Sequence, residues 1–323
     1  MGDERCRTDP PAPEGAGGVS RTDLGMLLVV LIWGANFAIV KAAFAHLAPL
    51  AFTAARFAAA SLLIVPVVYL REGAPRAPRR SFWKLVGLGL VGNTLYQLLF
   101  VIGLSQTTAA NSALLIAATP VLVALLGALL RVERLTRHVL AGIALAFCGI
   151  TLVVAARGAA VSLATLRGDL LVLGATFCWA LYTLGVRALG RGLSPLGITA
   201  MTMWTGTPGL VIAGLPQLAR ADWGGVGWRV WGALAYSAVL SLVFAYAIWN
   251  TSVRAVGSSR TAVYACVTPL VAATVAWPLL GEQPRPLQAV GAGLIIAGVL
   301  LTRRRAKDEG APARVGEEIH VSG

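Results

Sequence analysis

Acidic and imidazole side chains are scarce in this chain: 14 Asp and Glu together and 3 His among 323 residues. Enzymes that act on phosphates or peptides need paired carboxylates, metal ligands, or a nucleophile with its base. No such grouping is present. His46, His138 and His320 are too scattered for a metal site, so the sequence reads as a non-enzyme with no cofactor and no bound metal. The acids sit in tails, in loops or at the ends of apolar runs. That argues against a carboxylate relay within a membrane, the usual carrier of protons there. Cysteine is thin as well. Cys148, Cys178 and Cys266 lie inside apolar runs and Cys6 in a polar tail, without a CxxC pair or a disulfide framework. Residues 1–23 lack the charged, apolar and cleavage regions of a signal peptide and read as a disordered tail.

What the chain has instead is apolar length. Hydrophobic residues make up 57% and charged residues 13%, with a mean hydropathy of +0.75, which is the composition of a membrane protein. A span needs about 20 mostly apolar residues. Ten runs qualify: Leu24–Phe44, Leu50–Leu70, Trp83–Leu104, Thr108–Leu130, His138–Ala156, Asp169–Leu189, Leu196–Leu215, Val230–Asn250, Gly257–Leu280 and Pro286–Thr302.

The net charge of +13 does not indicate nucleic acid, because the basic residues are spread over many loops. With the N-terminus inside, cytoplasmic segments carry 20 Lys and Arg and external loops carry 5. This asymmetry is the positive-inside rule, and it predicts both termini in the cytoplasm.

The chain also repeats itself. An offset of 149 places Thr119-Pro120 on Thr268-Pro269 and Glu133 on Glu282. An offset of 146 sets Trp33 on Trp179, Lys41 on Arg187, Pro49 on Pro195 and Thr53 on Thr199. The first five spans (24–157) and the last five (169–303) are therefore copies, joined by a linker at 158–168 and followed by a disordered cytoplasmic tail at 304–323. Because five is odd, the second copy is flipped. The predicted fold is all-α integral membrane, ten helices in two inverted five-helix repeats.

The fourth and ninth spans carry an equivalent proline, Pro120 and Pro269, within an apolar helix. Proline removes an N–H and frees the carbonyl four residues back, here Ile116 and Ala265. In lipid such a carbonyl is tolerated only where protein or water replaces the bond. The two kinked helices are therefore expected to lie side by side and face a cavity. In the fifth and tenth spans, Gly142 and Gly149 align with Gly291 and Gly298, and Gly142/Ala146 and Gly293/Ala297 have the small-xxx-small spacing of closely packed helices. Gly87-Leu-Gly-Leu-Val-Gly92 matches GxGxxG, but it lies inside a span and no acid follows before Glu133. Close helix packing is the better account of those glycines.

Two cations fall within spans. Arg56 lies about 9 Å into the second span at 1.5 Å per residue, and Lys41 lies nearer the outer surface. Each is a candidate to meet a substrate carboxylate or to pair with carbonyls, and for Lys41 the competing role is snorkelling to the interface. Glu133 and Glu282 each precede the next helix, where a helix dipole favours an acid.

These landmarks resemble the EamA-type family of the drug/metabolite transporter superfamily. The resemblance rests on Trp33-Gly34-Ala35-Asn36-Phe37, Lys41, Arg56, Tyr96, Phe100, Thr119-Pro120, Glu133, Trp179, Thr268-Pro269, Leu280-Gly281-Glu282 and the paired glycines. It departs at Arg131-Val132 before Glu133, and at Thr202, which stands at the repeat position of Arg56. The resemblance implies an exporter of small amphipathic metabolites (amino acids, aromatic compounds or drugs) working by alternating access. The competing reading is a non-transporting membrane partner or sensor. The expected substrate pathway comprises Asn36, Lys41, Arg56, Tyr96, Asn111, Thr119, Pro120, Trp179, Tyr182, Trp249, Tyr264, Thr268 and Pro269. The expected partners are the bilayer and a small-molecule substrate, with no nucleic acid, in a monomer or weak dimer of the cell (plasma or inner) membrane. Facilitated diffusion and proton coupling through an unrevealed site both stay open.

Overall fold

A computed structural model describes residues 21–73, 79–130, 137–156, 163–189 and 193–303. All regular structure among them is helical: α1 (Arg21–Ala43), α2 (Pro49–Glu72), α3 (Arg79–Gly89), α4 (Tyr96–Gln106), α5 (Ala109–Ile116), α6 (Thr119–Leu129), α7 (Arg137–Ala155), α8 (Leu163–Ala188), α9 (Pro195–Ala219), α10 (Trp228–Tyr236), α11 (Ala245–Val256), α12 (Ser258–Val263), α13 (Thr268–Leu280) and α14 (Pro286–Arg303). Among the described residues, eight helical stretches are long and apolar enough to cross a membrane. The fifth and tenth expected spans form α7 and α14, helices of 19 and 18 residues. Helix α8 begins at Leu163, inside the expected linker.

Local chemistry sets the helix ends. Pro49 and Pro195 open α2 and α9 in the first turn, where a missing N–H costs nothing. The Ser194 hydroxyl accepts from Gly197 N at 2.8 Å, and the Thr108 side chain accepts from Asn111 N at 3.1 Å at the start of α5. Gly281 ends α13 at φ +69°, in the left-handed region where a Cβ would be penalised.

Four long spans are interrupted. The third carries a π-helical segment, Leu90–Leu95, between α3 and α4, and the eighth carries another, Ser237–Phe244, between α10 and α11. The fourth breaks between α5 and α6, and α6 restarts with Pro120 in its first turn. The ninth passes through a 3₁₀ turn, Tyr264–Val267, before α13 restarts with Pro269 likewise placed. The freed carbonyls find donors in the chain itself. The Thr119 hydroxyl donates to Ile116 O at 2.6 Å, and the Thr268 backbone N–H donates to Ala265 O. The prolines thus mark helix restarts rather than simple kinks.

Helices pack across the two halves of the chain. α7 and α14 run antiparallel: a Cβ on Gly149 would come within 2.6 Å of Gly291 O, and one on Gly298 within 2.5 Å of Gly142 O. Gly293 was expected to join this contact but faces open space. Of the GxGxxG glycines, Gly89 packs on Thr202 and Gly206 and Gly92 on Tyr182, while Gly87 touches nothing. α1 packs against α13, α2 against α9, and α4 against α8.

Several contacts join a residue to its own counterpart under the sequence offsets. Ser61 and Thr207 share a hydroxyl hydrogen bond of 2.7 Å. Trp33 and Trp179 have ring centroids 5.5 Å apart. Gln97 Nε2 lies 3.5 Å from the Tyr246 hydroxyl, and Cys266 Sγ lies 3.7 Å from Ala117 O, where the two broken helices touch.

Candidate functional site

Where α1, α4, α8, α11 and the second π-helical segment converge, a buried cavity is walled by aromatic rings. Trp33 lies 5.2 Å from Trp249 and 5.8 Å from Tyr246 by ring centroid, and Trp179 lies 5.1 Å from Tyr96, 5.2 Å from Tyr246 and 5.4 Å from Trp249. Tyr96 stacks on Phe100 at 5.8 Å, and Phe100 meets Phe37 edge-on at 5.4 Å. Offset and edge-to-face rings of this kind hold one another in place.

The π-helical segment fastens one wall. Widening the helix redirects its carbonyls and side chains toward α1, a feature often found at functional sites. Trp33 Nε1 donates to Ser241 O at 3.0 Å, the Ser237 hydroxyl lies 2.7 Å from Asn36 Oδ1, and the Tyr236 hydroxyl donates to Ile32 O at 2.9 Å.

Arg56 supplies the cavity's charge. Its side chain enters from α2, 1% exposed, and Nη2 donates to Gln97 Oε1 at 2.7 Å. Its guanidinium carbon lies 5.8 Å from the Phe52 ring centre and 5.6 Å from that of Phe57. Nε has no hydrogen-bond partner among the described residues, and neither has Trp249 Nε1. Among the described residues no Asp or Glu lines the cavity. Its free volume is about 40 Å³, enough for a few waters and far less than a metabolite occupies.

A second cavity of about 420 Å³ lies at the end of the bundle where α1 ends and α5 begins, lined by Lys41, Thr107, Thr108, Glu282 and Arg285 among others. The Lys41 ammonium sits 3.2 Å from Glu282 Oε1 and donates to Thr107 O. Glu282 was expected to serve the start of the helix that follows it. It instead accepts from Ala109 N at 3.0 Å and Ala110 N at 3.1 Å, satisfying two exposed donors at the N-terminus of α5. One carboxylate thus ties α1, α5 and the end of α13 together. The corresponding expectation for Glu133 lies outside the described residues.

Of the residues expected along the pathway, Asn36, Arg56, Tyr96, Trp179, Trp249 and Thr268 line the central cavity and Lys41 the second one. The rest lie elsewhere. Asn111 accepts from Gln288, and Thr119 and Pro120 are buried at the helix break. Pro269 borders an apolar groove between α5, α13 and α14. Tyr182 is buried against Asn250, whose Nδ2 donates to its hydroxyl at 2.9 Å, and Tyr264 bonds Asp23 at the start of α1. Of the polar groups expected around the two prolines, Asn111, Thr119, Tyr264 and Thr268, only Thr268 lines the cavity. Trp33, Phe37, Gln97, Phe100, Ser241 and Tyr246 line the cavity without having been singled out as pathway. Trp33 was legible in the sequence as the repeat partner of Trp179, whereas Gln97 pairs with Tyr246, which the expected pathway also lacked.

Comparison with known proteins agrees with this architecture. The family profile described as the EamA-like transporter family matches twice, at residues 20–155 and 166–304. An uncharacterized transporter of Archaeoglobus fulgidus is 33% identical over 290 residues, covering 88% of this chain and 97% of that protein. A protein of Streptantibioticus cattleyicolor named as a probable terminal-alkyne amino-acid exporter is 29% identical, covering 89% and 95%. A crystal structure sharing 19% identity superposes with a TM-score of 0.65 over 90% of this chain and 99% of its own, a likeness of fold. With the family matched over both halves, the chain belongs to the EamA-like transporter family and is a multi-pass membrane transporter.

Proposed function

We propose that the protein exports small amphipathic metabolites by alternating access, with the aromatic cavity around Arg56 as its substrate site. The carrying observation is the cavity's position, lined by helices of both halves and with a free volume of about 40 Å³. Ten membrane helices in two inverted repeats account for the self-contacts. A residue can touch its own counterpart only near a pseudo-twofold axis, and Trp33/Trp179, Ser61/Thr207, Gln97/Tyr246 and Ala117/Cys266 do so. The two separate family matches support the same division. Rocking of one repeat against the other about that axis would open the site to each side in turn.

The charge asymmetry of the loops supports cytoplasmic termini, which puts the Lys41–Glu282 cavity at the external face. Export and an amino-acid-like cargo are favoured by what the Streptantibioticus relative is named for. Purified protein in liposomes, challenged in both directions with a panel of amino acids, aromatic compounds and drugs, is expected to give saturable flux that Trp179→Ala abolishes. Folded protein that moves nothing on the panel would favour the non-transporting partner or sensor. Flux that collapses with an uncoupler under an imposed pH gradient would establish proton coupling over facilitated diffusion.

A further inference from the structure

Buried cations are normally paired, because an unpaired charge in a low-dielectric interior costs several kcal/mol. Arg56 departs from this pattern. Its one side-chain hydrogen bond among the described residues is to a neutral amide, Gln97, and its guanidinium lies near the rings of Phe52 and Phe57. Trp249 adds a second unpartnered N–H to the same cavity, while the Asn36 amide oxygen is already engaged by Ser237. The cavity therefore presents donors in excess, with no carboxylate to balance them.

Resting on the reading of this cavity as the substrate site, we propose that the cargo is an organic monoanion. Its carboxylate seats on Arg56 and the Trp249 N–H, and its flat apolar body lies among Trp33, Trp179 and Tyr246. An α-amino group is not required. Charge-assisted hydrogen bonds to a guanidinium are the strong ones, and removing one partner of a buried pair leaves the other uncompensated. A cationic amine that carries no carboxylate suffers repulsion from Arg56, and among the described residues no Asp or Glu lines the cavity to receive it. The site thus selects acids over isosteric amides and rejects amines.

The test uses the full-length protein in lipid nanodiscs, with tryptophan fluorescence reporting on the indole-walled cavity. The probes are 3-phenylpropionate, 3-phenylpropionamide and 3-phenylpropylamine, which share one body and differ in charge. The acid is expected to bind saturably, the amide roughly tenfold to a hundredfold more weakly, and the amine not at all. Arg56→Gln should bring acid binding down to that of the amide and leave the amide unchanged. Trp249→Phe, which removes one N–H and keeps the ring, should weaken the acid roughly threefold or more relative to the amide, and it serves if Arg56→Gln does not fold. Equal binding of acid and amide, or acid binding indifferent to both variants, overturns the anion assignment while leaving the cavity as a binding site. Absence of saturable binding by all three overturns the cavity reading with it.

Discussion

Glu282→Gln tests whether the Lys41–Glu282 contact is a lock on the external end of the pathway. The carboxylate makes an ion pair at 3.2 Å and two backbone hydrogen bonds at 3.0 and 3.1 Å, with only 13% of its side chain exposed and 24% of that of Lys41. Glutamine keeps one carbonyl oxygen, and so can keep one of the N–H bonds, but it loses the charge that meets both Lys41 and the α5 dipole. Hydrogen bonds to charged groups are worth about 1.5–3 kcal/mol and an acid at a helix N-terminus up to about 2. The closed end should therefore lose about 2–3 kcal/mol relative to the open one. At tenfold per 1.4 kcal/mol, its population ratio falls roughly 30- to 140-fold. The assay is labelling of Thr268→Cys, a buried cavity position, in a background freed of native cysteines. An impermeant maleimide is added outside right-side-out vesicles. Labelling through an opening equilibrium scales with the open population, so Glu282→Gln should raise its rate by that factor. The exchanged pair Lys41→Glu with Glu282→Lys restores opposite charges but puts an ammonium against the α5 N–H groups, so it should remain fast. A wild-type rate in Glu282→Gln would refute the lock. Full restoration by the exchanged pair would show that the ion pair alone matters and that capping α5 does not.

Further outcomes concern the helix breaks and the glycine seam. The Pro120→Ala, Pro269→Ala double variant should insert and fold yet transport poorly, because continuous helices at both restarts would alter the shape where Ala117 meets Cys266; normal flux would remove the breaks from the mechanism. Gly149→Ala should lower the melting temperature in detergent, since its methyl would lie 2.6 Å from Gly291 O and force α7 from α14, at a cost of about 1–3 kcal/mol. Gly293→Ala, facing open space, should not change it.

Sequence alone determined that this is an all-helical membrane protein of repeated plan. Apolar runs, loop charge and the recurrence of Trp33, Thr119-Pro120 and Gly142 as Trp179, Thr268-Pro269 and Gly291 are one-dimensional signals imposed by bilayer thickness and by the chemistry of the backbone. The same signals marked both prolines as interruptions and required a replacement partner for Ile116 O, which the structure shows to be the Thr119 hydroxyl. They did not locate the π-helical segments, whose residues look like any apolar helix until tertiary contacts widen them. Nor could they say what Arg56, Lys41 and Glu282 touch. Gln97 is 41 residues from Arg56 and Ala109 is 173 from Glu282, separations that only helix packing closes. Asn111 and Thr119 show the limit from the other side: polar residues in a proline-broken span have the pattern of a pathway, and packing alone decided that Asn111 meets Gln288 and Thr119 the carbonyl of Ile116 while Gln97 and Tyr246 wall the cavity.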